Sequence, residues 1–267
     1  MGDKITVPHI AQMKQRGEKI TCLTAYDYSF ARILDEAGVE MLLVGDSLGC
    51  VVQGYPNTLA VTLDEMVYHT RLVARARKRA LVIGDMPFLS YQVSREQALQ
   101  NAGRLVKEGG AEAVKLEGGV TMQGAIAAIV NIGIPVMGHV GLTPQSVNRF
   151  GGYKVQGRDK QCRENVLRDA LAVEEAGAFA VVLEGMPLDL GREITERLTI
   201  PTIGIGAGAH CDGQVLVIHD MLGLFDDFKP KFVKRYADLK STVANAAKEF
   251  IGEVKERKFP LEEHSFR

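Results

Sequence analysis

The sequence predicts an α/β fold, a single-domain (β/α)8 TIM barrel, on three observations. Short β-branched runs alternate with helical patterns along the whole chain, the runs number eight, and polar residues suited to chemistry gather at their carboxyl ends. The runs are 20–24, 41–44, 81–83, 113–116, 135–138, 179–183, 201–205 and 214–218. Their ends recur roughly every 28 residues, close to the about 31 expected when about 250 residues are shared among eight strand-helix units. Helix starts are marked by capping boxes, Thr62-Leu-Asp-Glu65 and Ser94-Arg-Glu-Gln97, and by Asp159 as an N-cap. A doubly wound open sheet would show the same alternation, so periodicity leaves it standing as the alternative. Its nucleotide signature is weak, since Gly204-Ile-Gly206-Ala-Gly208 reads only as GxGxG.

The domain reading is residues 1–267 as one barrel domain with an N-terminal capping segment and a C-terminal helix. The tail from Lys234 to Arg257 sets Tyr236, Leu239, Val243, Ala246, Phe250 and Val254 at steps of three and four, so one helix face is apolar. That face could cover the chain's own outer ring or a neighbouring subunit. No linker, repeat or low-complexity tract marks a second domain.

A length of 267 residues with 46% hydrophobic and 24% charged residues describes a globular chain and excludes global disorder. The net charge of −1 provides no field for nucleic acid or an anionic membrane, so small molecules or copies of the chain are the expected partners. The basic stretch Arg71 to Arg79 has no interleaved aromatics and reads as a solvated helix face. The four cysteines show no CxxC or zinc spacing, and the first 19 residues hold no apolar signal core. Reduced thiols and a cytoplasmic location are therefore expected, and no stretch is apolar enough to span a membrane.

Asp46, Asp85, Lys115, Glu117, His139 and Glu184 all fall at or just beyond a strand's carboxyl end, which in a barrel is the rim that carries chemistry. Period-2 alternation places Leu42, Val44 and Asp46 on one face, likewise Leu81, Ile83 and Asp85, and Ala113, Lys115 and Glu117. Converging carboxylates repel, and each costs several kcal/mol to bury unpaired. A divalent cation resolves this, with hard oxygen ligation by Asp46 and Asp85, and Glu117 direct or through water, suiting Mg²⁺. The alternative is a stabilising network of these acids with Lys115 and nearby arginines. The loops Leu48 to Val61 and Val140 to Gly157 are long enough to exclude water. Gly45-Asp46-Ser47-Leu48-Gly49 also matches GxSxG, which would make Ser47 a nucleophile, but the late Asp-x-x-His of such esterases does not occur.

Around these residues the chain resembles the ketopantoate hydroxymethyltransferase family. The likeness runs through Thr24-Ala-Tyr-Asp27, Val44-Gly-Asp-Ser-Leu-Gly49, Val61-Thr-Leu-Asp-Glu-Met66, Gly84-Asp-Met-Pro-Phe88 and Ala113-Val-Lys-Leu-Glu-Gly118. It continues through Pro135-Val-Met-Gly-His139, Gly141-Leu-Thr-Pro-Gln145, Gly151-Gly-Tyr-Lys-Val-Gln-Gly157, Val182-Leu-Glu-Gly185, Ile203-Gly-Ile-Gly206 and Cys211-Asp-Gly-Gln214. The resemblance implies a barrel of the phosphoenolpyruvate mutase type, Mg²⁺ dependence, 5,10-methylenetetrahydrofolate as one-carbon donor, a place in pantothenate biosynthesis, and a homo-oligomer, typically a decamer. It implies Mg²⁺ on Asp46 and Asp85 with Glu117 in its shell, and Asp46, Ser47, Asp85 and Lys115 around the 2-oxo acid. Glu184 is implied as the base. For His139 it implies proximity to the site without a step, and a core histidine remains an equal reading.

The implied chemistry is coherent. Loss of the methine hydrogen of 3-methyl-2-oxobutanoate leaves a carbanion conjugated with the 2-oxo group, which a divalent ion stabilises as an enolate. Two other readings stand beside it: a metal-dependent lyase or mutase on the same barrel, whose reactive cysteine loop is not found here, and a barrel without catalysis.

Overall fold

The computed structural model describes residues 3–226 and 230–267. Eight parallel strands close on themselves: β1 (Ile20–Thr24), β2 (Met41–Val44), β3 (Leu81–Asp85), β4 (Ala113–Glu117), β5 (Val136–Gly141), β6 (Ala180–Glu184), β7 (Thr202–Ile205) and β8 (Gly213–Leu216). Each strand pairs with its sequence neighbour, and β1 pairs with β8 through Ile20 to Gly213 and Cys22 to Val215. That closing pair removes both sheet edges and excludes the doubly wound alternative. β3 and β4 run further than expected, because Asp85 and Glu117 remain in the ladder; β5 likewise starts at Val136 and runs on to Gly141.

The barrel interior is an apolar plug of Ile20, Cys22, Met41, Leu43, Leu81, Ile83, Ala113, Met137, Ala180, Val182, Ile203 and Val215. Burying each large aliphatic among them stabilises the fold by about 1.5–3 kcal/mol. Register makes the layers. Met41 lies beside Leu81, Leu43 beside Ile83, and Ile83 beside Ala113, so one step further up the same face stand Asp85 and Lys115, themselves paired. Lys115 stands beside Met137, Glu117 beside His139, and Gly141 beside Glu184.

This corrects the phase expected for β2. Met41 and Leu43, not Leu42 and Val44, face the interior. Alternation from Val44 would point Asp46 outward, but the chain leaves the extended conformation there. Successive turns bond Leu48 N to Gly45 O at 3.1 Å and Gly49 N to Asp46 O at 2.9 Å, and Asp46 reaches the mouth through that turn.

The amino end is sealed by the helix Val7–Gln15, whose Ile10 joins the interior cluster. Lys14 Nζ donates to Thr195 O, Ile200 O and Asp212 Oδ2, which ties that helix to the ends of the last strands. Outer helices begin where capping chemistry says they should. Thr62 and Glu65 form the reciprocal box, and Asp159 accepts from Cys162 N. Ser94 accepts from Gln97 N, but no reciprocal bond from the Gln97 side chain accompanies it. At the mouth, Gly141 has φ +93°, and a Cβ there would lie 2.4 Å from the Glu184 carbonyl oxygen, so only glycine lets β5 and β6 end side by side.

The chain divides into two compact units, Met1–Val217 and Ile218–Arg267. The barrel belongs to the first. The second contains a helix over Leu239–Lys255, shorter than the periodicity suggested because Asp238 caps it, accepting from Ser241 N at 3.2 Å. Among the described residues no helix is long and apolar enough to cross a membrane, and no disulfide joins any of the four cysteines.

Candidate active site

Every residue singled out from the strand ends reaches the carboxyl mouth of the barrel. Asp46, Asp85, Lys115, Glu117 and His139 are buried there, and the Glu184 side chain is 14% exposed. Asp46 and Asp85 meet directly, since the Asp46 backbone N–H donates to Asp85 Oδ2 at 3.2 Å. Lys115 Nζ donates to both Asp85 oxygens, at 2.8 and 2.9 Å, and lies 4.0 Å from Glu117 Oε1. His139 stands between two acids, with Nδ1 3.6 Å from Glu117 Oε1 and Nε2 3.2 Å from Glu184 Oε2. Ser47 Oγ shares a 2.8 Å hydrogen bond with the Tyr26 hydroxyl. The serine thus meets a phenol where an esterase triad would place an imidazole.

Four carboxyl groups therefore share one buried lysine, and the protonation of Asp85, Glu117 and Glu184 reflects the shortage. Burial raises Glu184 to about 8, against the opposing pull of Lys115. Burial likewise pushes Asp85 up to about 7; Lys115 counters and the Asp46 charge adds to the rise. Glu117 is driven well above the ordinary carboxylate range by burial and by the charges of Asp46 and Asp85. Burial works against charge on Lys115, yet Asp85, Glu117 and Asp46 hold its ammonium protonated above the usual lysine range. His139 is kept neutral by burial and by the lysine charge.

The donor set suits a hard cation. It consists of carboxylate oxygens in a water-poor mouth, and Glu117 Oε1 is buried without a hydrogen-bond partner. Among the described residues no three His, Cys, Asp or Glu side chains form a ready-made metal cage. A site of one or two carboxylates completed by water and substrate oxygens is the arrangement Mg²⁺ ordinarily takes, and it needs no such cage.

Three residues given no role from sequence complete the mouth. Gln145 contacts Asp46, Met86, Tyr91 and Glu117, and Tyr91 contacts both Gln145 and the Glu117 backbone. The third is Tyr153, on the loop bearing Gly151 and Gly152. Burial raises its phenol to about 12, and the acidic groups Cys50, Glu184, Asp46 and Glu117 add to the rise, so its hydroxyl stays protonated. The quoted motifs contain Gln145 and Tyr153, but a glutamine or tyrosine on a loop has no spacing rule that points to a site.

A family model described as ketopantoate hydroxymethyltransferase matches residues 4–262. The chain belongs to the ketopantoate hydroxymethyltransferase family. A 3-methyl-2-oxobutanoate hydroxymethyltransferase of Geobacter metallireducens is 62% identical over 266 residues, covering 100% of both chains. One from Moorella thermoacetica is 58% identical over 264 residues, covering 99% of this chain and 98% of its own. Membership in the hydroxymethyltransferase family marks the chain as a transferase. Solved structures share the fold at low identity. A phosphonopyruvate hydrolase complexed with oxalate and Mg²⁺ has a TM-score of 0.63 at 12% identity, covering 97% of this chain and 93% of its own. A 2,3-dimethylmalate lyase described as a phosphoenolpyruvate mutase/isocitrate lyase superfamily member has a TM-score of 0.61 at 16% identity, covering 97% and 91%. These likenesses show the closed (β/α)8 barrel fold.

Proposed function

We propose that this hydroxymethyltransferase moves a one-carbon unit from 5,10-methylenetetrahydrofolate to 3-methyl-2-oxobutanoate through an enolate, giving 2-dehydropantoate for pantothenate biosynthesis. The observation that carries this reading is the mouth itself, where an acid raised to about 8 faces a buried cluster of carboxylates around one lysine. The full-length likeness to enzymes named for this substrate supports it.

Asp46 and Asp85 would hold Mg²⁺ with Glu117 in its shell, and the ion when bound would supply positive charge to the 2-oxo and carboxylate oxygens of the substrate. Glu184 takes the methine proton, and the C–H electron pair passes into the conjugated 2-oxo group. Burial makes this carboxylate a stronger base than an exposed glutamate of pKa about 4.3. Lys115 presents a fixed ammonium to the substrate carboxylate or the developing oxyanion. The hydroxyl of Ser47, oriented by Tyr26, binds the same acid. The enolate carbon then bonds to the folate-borne methylene. Water supplies the hydroxyl, and the C–N bonds break to release tetrahydrofolate. The enzyme works as a cytoplasmic homo-oligomer, a decamer by family resemblance, with no nucleic-acid or membrane partner.

Incubation with 3-methyl-2-oxobutanoate, 5,10-methylenetetrahydrofolate and Mg²⁺ is expected to yield 2-dehydropantoate by mass spectrometry, and omission of the folate is expected to abolish it. Cleavage of 2-oxo acids without folate would instead mark a lyase.

A further inference from the structure

One residue after β5 bonds, through its side chain and its backbone N–H, to residues at the ends of β2, β3 and β4. Gln145 lies on the loop after β5 and is 5% exposed. Its Nε2 donates to Asp46 Oδ2 and to the Met86 carbonyl, both at 2.9 Å. Its Oε1 accepts from the Tyr91 hydroxyl at 2.7 Å and from Gln92 Nε2 at 3.2 Å, and its backbone N–H donates to Glu117 Oε2 at 3.0 Å. Both amide hydrogens and both carbonyl lone pairs are thus in use. The orientation is determined: a flipped amide would set Oε1 against the Met86 carbonyl and the Asp46 carboxylate, which are acceptors only.

Consequently one oxygen of Asp46 and one of Glu117 are held by the same residue, while Glu117 Oε1 takes no hydrogen bond. Tyr91, 2% exposed, braces this arrangement from behind, since its hydroxyl also accepts from Glu117 N at 3.1 Å. We propose that Gln145, locked by Tyr91, is a positioning residue that aims the Asp46 and Glu117 carboxylates at a shared cation. The proposal rests on the reading that these carboxylates hold a divalent ion.

Hydrogen-bonding partners behind metal ligands commonly govern affinity by about 10- to 100-fold. The test uses Mn²⁺ as the probe, its free concentration followed by electron paramagnetic resonance, with a thermal melt of each metal-free protein alongside. Gln145→Leu is expected to weaken Mn²⁺ binding by about 10- to 100-fold and to broaden the bound-ion spectrum, because ligand orientation becomes heterogeneous. Tyr91→Phe, which keeps the ring, is expected to weaken binding by a smaller factor. The double variant is expected to weaken binding by less than the two single effects combined, because Tyr91 acts partly through Gln145. Wild-type Mn²⁺ affinity in a folded Gln145→Leu protein would overturn the inference, as would full additivity in the double variant. If Gln145→Leu does not fold, Tyr91→Phe decides, and unchanged affinity there overturns the proposal. A wild-type protein that binds no Mn²⁺ would overturn the functional reading itself.

Discussion

Replacing Glu184 by glutamine is expected to slow exchange of the methine hydrogen of 3-methyl-2-oxobutanoate with solvent deuterium by about 10²- to 10⁴-fold, the range a positioned general base contributes. Proton NMR in D₂O measures it without folate, so later steps do not interfere. The substitution preserves shape and removes only the group that accepts the proton. The pH dependence carries the same signature. Only deprotonated Glu184 can take a proton, and burial raises this acid to about 8, so wild-type exchange should climb toward that pH and level above it. The residual rate of Glu184→Gln should lack that limb. Stability has the opposite sign. A folded-state pKa raised above the unfolded value gives a contribution present at low pH and lost as pH rises through about 8, so the metal-free wild type should weaken over that range and the variant less so. Exchange at the wild-type rate in Glu184→Gln would remove this residue from the role.

Lys115→Met is expected to destabilise the metal-free protein by about 3–5 kcal/mol at alkaline pH, since it leaves a buried carboxylate without its cation. Lys115 Nζ grips both Asp85 oxygens, and their side chains are 5% and 2% exposed. Asp85 already sits near 7 with the lysine present, because burial and Asp46 push it up. Without the lysine it rises further and becomes protonated at moderate pH. Stability is therefore expected to recover as pH falls, and urea unfolding at pH 6 and pH 9 (about 1–3 kcal/mol per molar urea for small proteins) would resolve the two. Adding Asp85→Asn should restore much of the loss at high pH. An equal loss at both pH values would show that Lys115 acts through packing and not through its charge.

How much of this was legible in the sequence depended on whether a residue still lay in the sheet. Asp85 and Glu117 are the last residues of β3 and β4, and Glu184 that of β6, so strand alternation or position alone carries them to the mouth. Asp46 lies at the mouth for a reason that strand alternation does not supply, because alternation stops at Val44 and a turn, not the pleat, aims it. The closure of the sheet was beyond periodicity, since barrel and open sheet share the same alternating runs; it rests on the β1–β8 pairing. Gln145, Tyr91 and Tyr26 were opaque for a different reason. Their roles come from hydrogen bonds between loops far apart in sequence, such as the one joining Gln145 to Asp46. The assignment of Glu184 as base came from family likeness; the geometry adds its enclosure and its neighbour His139.

On the proposed function, Glu184 breaks the substrate C–H bond, and a divalent ion held by Asp46 and Asp85 would supply the charge that acidifies it. The most direct measurement is deuterium uptake by 3-methyl-2-oxobutanoate on the wild-type enzyme, first with Mg²⁺, then with a chelator in excess, then with Mg²⁺ restored. Uptake is expected to stop under the chelator and to return with the ion. Uptake at the same rate in all three would contradict that role for the ion.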